Sequence, residues 1–154
     1  MPYYADLNLG APQAAHEWQA DPEARARTIE RLRALRAALR DPARGGPPRR
    51  GFGSLLLATW NLREFDSPTW GDRLPEAYAY MAEVIDCFDL IAIQEVREDL
   101  RALERLRSRL GHHWAYLVSD VTEGRAGNRE RLAFLYDTRK VQFLGIAESL
   151  FCHR

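Results

Sequence analysis

Apolar residues recur at helical spacing in three stretches of this chain and gather into short runs in five others. Ile29, Leu32, Leu35 and Leu39 fall three or four residues apart among arginines, which predicts an amphipathic helix. Asp21 and Pro22 supply an N-cap and a first-turn proline for it, and Asp41-Pro42 ends it. Leu74, Tyr78, Met81, Ile85 and Phe88 share one face of a second helix, with Pro75 near its start. Leu100, Leu103, Leu106 and Leu110 mark a third. The short runs at 54–62 (SLLLATWNL), 89–94, 113–121, 131–137 and 141–149 read as strands. Strand and helix alternate up to the third helix, and then strands follow one another. That order predicts an α/β (α+β) protein whose sheet has mixed strand directions. Residues 1–20 show no periodicity, and DPARGGPPRRGFG (41–53) is a loop by its proline and glycine content.

Composition narrows this only slightly. A chain of 154 residues suits one domain with its own core. Its 22 basic and 22 acidic residues cancel, so no overall field draws it toward polyanions or lipid. Arginine is concentrated in the first helix and the loop after it. Such a basic face could touch a phosphate backbone, but is more often simply solvated. Cys87 and Cys152 are the only cysteines, too few for a disulfide framework and without metal-ligand spacing. The N-terminus has neither a basic start nor an apolar run, and no apolar run is long enough to cross a membrane. The expectation is a cytoplasmic protein with no membrane partner.

Three polar residues stand at the ends of apolar runs. DLIAIQEVRED turns polar at Gln94-Glu95, LLLATWN ends on Asn61, and Glu130 precedes RLAFLYD. In open sheets, ligands bind where strands run out into loops. Oxygen donors gathered there could hold a hard cation. Taken singly, each has a plainer reading. A strand-end glutamate is commonly a solvated turn residue, Asn61 is a good turn former, and Glu130 lies between Arg129 and Arg131, where charge pairing would account for it.

Together the segments LLLATWNLREFDS, FDLIAIQEVRED and GNRERLAFLYDTRKV resemble, in order, the first three signature segments of the endonuclease/exonuclease/phosphatase superfamily. They are most similar to its deoxyribonuclease-I-like branch. The resemblance covers roughly 54–148. It implies that residues 54–154 form the N-terminal half of such a domain, part of a two-layer β-sandwich flanked by helices. Residues 1–53 would be an extension carrying the Arg-rich helix and the Pro/Gly loop. The implied activity is metal-dependent phosphodiester hydrolysis, most like that of a DNA endonuclease. Glu95 would be the ligand of Mg²⁺ (or Mn²⁺). Asn61 would bind the phosphate, and Glu130 would orient a histidine from a later strand. Arg97, Asn128 and Arg129 would face the substrate, a nucleic acid or another phosphodiester. Asn128 stands where the deoxyribonuclease branch has a tyrosine, which bears on substrate class. The family's later histidine, Asp-x-Asn and Asp-His segments lie beyond Arg154, so the expectation is a truncated, weakly active or inactive chain, self-associating through an uncovered sheet. A phosphomonoesterase or phospholipid esterase of the same superfamily, or a non-catalytic binding remnant, are the alternative readings.

Overall fold

The computed structural model describes residues 2–4, 7, 22–65, 69, 73–119 and 130–144. Along the chain run α1 (Pro22–Leu39), a 3₁₀ turn (Pro42–Arg44), β1 (Leu57–Phe65), α2 (Pro75–Ile85), β2 (Leu90–Arg97), α3 (Arg101–Leu110), β3 (Trp114–Val118) and β4 (Glu130–Asp137). The strands form a four-stranded sheet in the order β1-β2-β4-β3. β1 and β2 are parallel, joined through α2, while β4 runs antiparallel to both its neighbours. The described residues therefore make a mixed α/β fold. Among them no helix is long and apolar enough to cross a membrane.

Burial explains which face each element presents. Leu103, Leu106 and Leu110 are fully buried, as their spacing on α3 requires. Glu104 in the first turn of α3 and Arg107 and Arg109 in its last turn complement the helix dipole. Tyr78, Met81, Ala82 and Ile85 of α2 meet Ile91, Ile93, Val96, Ala133 and Leu135 of the sheet in one core. Each large aliphatic side chain buried there contributes about 1.5–3 kcal/mol. α1 lies outside α2. Leu32 packs on Ala79, and Arg36 reaches Glu83 at 2.7 Å.

Among the described residues, helices pack on one face of the sheet. On the other, Leu57 is 60% exposed and Thr59 is exposed, in rows with the half-buried Leu90, Ala92, Phe134 and Tyr136. Among the described residues there is one sheet, and nothing forms a second layer over this face.

Four sequence expectations need correcting. Leu74 is 63% exposed and caps α2 from outside, so the buried stripe of that helix starts at Tyr78. The first strand begins at Leu57, because the Leu56 carbonyl and amide are taken by the backbone and carboxylate of Asp89. Residues 141–144 form no strand. The Asp137 carbonyl accepts from both Lys140 and Val141 in a turn, which leaves Phe143 and Leu144 exposed. Residues 145–149, the rest of that expected strand, lie outside the described residues. Finally, β1 does not end at Asn61, nor β2 at Gln94. Both strands continue, to Phe65 and Arg97.

Candidate functional site

The continuation has a cost that identifies the site. Inward-facing residues of β1 run Ala58, Trp60, Leu62 and then Phe65; those of β2 run Ile91, Ile93 and then Val96. Strict alternation would place the last of each at 64 and 95. Each strand therefore breaks alternation, and the pairing register shifts, with β1 running longer than β2 between Asn61 and Phe65 and β2 longer than β4 between Ile93 and Val96. The two bulges lie side by side on the parallel pair. They hold Arg63 (φ 37°) and Glu95 (φ 61°), the positive-φ residues other than glycine among those described. A side chain in this left-handed region costs roughly 1–2 kcal/mol.

The bulges bring the strand-end residues together. Asn61 Nδ2 donates to Glu95 Oε1 at 2.5 Å. Asn61 Oδ1 accepts from the Arg63 amide at 2.7 Å, an Asx-type contact that stabilises the turned backbone. Arg73, from the segment before α2, braces the bulge from below. Its Nη2 donates to the carbonyls of Leu62 at 2.6 Å and Arg63 at 3.1 Å, and its guanidinium lies 5.6 Å from the Phe65 ring centroid. Asn61 is exposed and Glu95 half-buried, so the pair sits at the sheet's end in reach of solvent.

Glu130 opens β4, with its backbone opposite Arg97, and Arg131 is opposite Val96. Thus Asn61, Glu95, Arg97 and the backbone of Glu130 share one end of the sheet. Asn128 and Arg129 lie outside the described residues. Arg63 and Arg73 adjoin β1's bulge and Arg97 and Arg131 border β2's, giving this end a basic surround. Sequence pattern singled out neither Arg63 nor Arg73. Arg73 acts on carbonyls ten and eleven residues away, and no periodicity encodes that contact.

Whether a hard cation fits can be asked of the donors themselves. Among the described residues no three His, Cys, Asp or Glu side chains come together as a metal-holding group. Asn61 turns its Nδ2 toward Glu95 and its Oδ1 to the Arg63 amide, so the donor on offer is the Glu95 carboxylate, and Mg²⁺ is usually held by one or two carboxylates with waters and substrate phosphate completing its shell. The residues fit a water-rich site of that kind.

The opposite end of the sheet is built differently. Asp89 and Asp137 are wholly buried there. Arg50 Nε donates to Asp89 at 2.6 Å and its Nη2 to Asp137 at 2.5 Å. Lys140 Nζ donates to Asp89 at 2.7 Å, and Arg139 makes three further bonds to Asp137, from its amide, Nε and Nη2. Burial alone would raise both carboxyls. Hydrogen bonds from Lys140, the Leu56 amide and Arg50 hold Asp89 below the usual carboxylate range. Those from Arg139 and Arg50 hold Asp137 well below it. His112 and His113 occupy the turn before β3 at this end. Burial, and then the charge of Arg139, push the His113 imidazole below its ordinary value.

Compared with protein-family models and with curated proteins, the chain matches none of them.

Proposed function

We propose that the Asn61–Glu95 end of the sheet is the phosphate end of a Mg²⁺- or Mn²⁺-dependent phosphodiesterase of the endonuclease/exonuclease/phosphatase type, most like the deoxyribonuclease-I branch. One observation carries this reading. Two adjacent parallel strands both bulge at the same level, and the backbone strain there sets an amide against a carboxylate at 2.5 Å. Strain of this sort persists where surrounding structure over-determines it, and it concentrates at functional sites. A solvated turn glutamate needs neither bulge nor brace.

In this reading Glu95 holds the cation, with Asn61 fixing the carboxylate's rotamer from Oε1 and offering its polar end to the phosphate. The bound cation supplies charge stabilisation at a phosphoryl oxygen. Arg97, Asn128 and Arg129 are the residues assigned to the substrate, a nucleic acid or another phosphodiester. Guanidiniums suit it because they pair bidentately with phosphate oxygens. Glu130 positions an acid–base group. The sheet would be one layer of the two-layer sandwich, and the uncovered face bearing Leu57 and Thr59 supports that, since a half-apolar face of this kind calls for a cover.

Calorimetric titration with Mg²⁺ and Mn²⁺ tests the reading. Glu95→Gln keeps the side chain's shape and its contact with Asn61 but removes the charge, and is expected to weaken binding at least about tenfold, a loss of roughly 1.4 kcal/mol. Equal affinity in parent and variant would sink the assignment.

A further inference from the structure

α2 is about 16 Å long at 1.5 Å per residue, and a second feature lies at its C-terminal end. The C-termini of α1 and α2 and the loop through Pro42, Pro47 and Pro48 enclose a cavity of about 470 Å³. That volume lies within the range of small-molecule sites. The loop wall is fixed before any ligand arrives. Asp41 caps the 3₁₀ turn, Gly45 closes it at φ 77°, and a Cβ on Gly46 would come within 2.5 Å of the Leu39 carbonyl oxygen. Its far end is held by Arg50 in the buried carboxylate network.

Four guanidiniums line the cavity, those of Arg36, Arg40, Arg49 and Arg50, with the carboxylates of Glu83 and Asp86. Two of the four are committed. Arg36 donates twice to Glu83, at 2.8 and 2.7 Å, and Arg50 bonds Asp89, Asp137 and the Asp86 carbonyl. Arg40 and Arg49 are exposed, and their side chains hold no hydrogen bond or ion pair among the described residues. Two helix C-termini carry about half a negative charge each. Set against these and two carboxylates, four guanidiniums leave the lining positive by about one charge.

We propose that this cavity binds a small phosphorylated molecule, its phosphate held by Arg40 and Arg49 and its body resting on Leu39, Pro47 and Pro48. The guanidinium fork matches phosphate oxygens bidentately. A preformed proline wall avoids the entropy of ordering a loop on binding. The site is independent of the phosphodiesterase reading.

Cys87 lines the same cavity and reports on it locally. In a Cys152→Ser background, the rate at which a thiol reagent labels Cys87 is measured with and without phenyl phosphate, at constant ionic strength. Phenyl phosphate is expected to slow labelling at least fivefold at saturation. In Arg40→Ala/Arg49→Ala, half-protection should need about 100-fold more ligand, tenfold for each lost charge-assisted contact. Both positions are exposed, so the core is untouched. Undiminished protection in the double variant, no protection in the parent, or equal slowing by sodium chloride overturns the proposal.

Discussion

Where β1 and β2 begin, Asp89 and Asp137 are wholly buried and all four of their oxygens are hydrogen-bonded to groups of the chain itself. Where the same strands run out, Asn61 and Glu95 stand in reach of solvent on backbone that left-handed torsions hold out of register. One end of the sheet uses its charges to close the fold, and its backbone is regular. The other accepts strained backbone and leaves polar side chains facing outward. Burial with complete pairing makes Asp89 and Asp137 carboxylates that hold the fold, whereas strained backbone at an exposed strand end is what the proposed role of Glu95 rests on. The distinction lies in surroundings, since aspartates and glutamates alike stand at strand ends in the sequence.

Breaking the closed end should have the largest effect. Arg50→Ala strips a shared cation from two buried carboxylates and is expected to cost about 3 kcal/mol in urea unfolding, the lower range for disrupting a buried pair, because Lys140 and Arg139 remain. A change below about 1 kcal/mol would show that those two suffice. The same carboxylates set the acid limb of stability. Both have folded values below their unfolded one of about 3.9. Below that pH the unfolded chain binds protons that the folded chain excludes. Their contribution is thus fully present above about pH 5 and lost as pH falls, by up to about 1.4 kcal/mol per pH unit for each group. Urea midpoints between pH 5 and 2 measure this, and a flat profile would contradict it.

At the open end the effects should be smaller and should separate stability from function. Arg73→Ala releases the Leu62 and Arg63 carbonyls and is expected to cost about 1–2 kcal/mol. It should weaken metal binding as well, through the position of Asn61. Glu95→Gly should act in the opposite direction. Glycine relieves the positive φ at that position, and its added freedom in the unfolded chain takes back part of the gain, leaving about 0.5–1 kcal/mol of stabilisation while metal binding is lost. A variant both less stable and metal-free would mean that Glu95 holds the fold together, as Arg50 does.

Much of this was legible in the sequence where the signal is local. The stripe Leu103, Leu106 and Leu110 on α3 and the run Ile91–Ile93 in β2 have the burial their spacing predicts. Asn61, Glu95 and Glu130 stand out in the sequence as polar residues at the ends of apolar runs, and the structure brings the first two into contact. What was not legible is long-range or irregular. A bulge adds one residue to a strand and resets its alternation, so LATWNLREF and LIAIQEVR each looked like strands that stop early. Arg50 and Asp137 stand 87 residues apart, and nothing in either segment identifies the other as its partner. Leu74 fits the helical period yet lies outside the core, because periodicity gives a direction and the entry of the chain decides whether anything meets it.

The strand order β1-β2-β4-β3 has a consequence for how the chain is made. On the ribosome β2 emerges before β3, yet the strand that belongs between them, β4, is the last of the four to be synthesised. At about 5–20 residues per second, the nascent chain spends several seconds with β1 and β2 able to pair through α2 and with β3 lacking a neighbour. Asp137 and Lys140, the final partners of Arg50 and Asp89, arrive with the end of that same strand. Insertion of β4 therefore completes the sheet and neutralises its buried charges in one event. Until then Asp89 has Arg50 and the Leu56 amide but not its lysine, and a nascent chain paused before Asp137 leaves Arg50 without its second carboxylate.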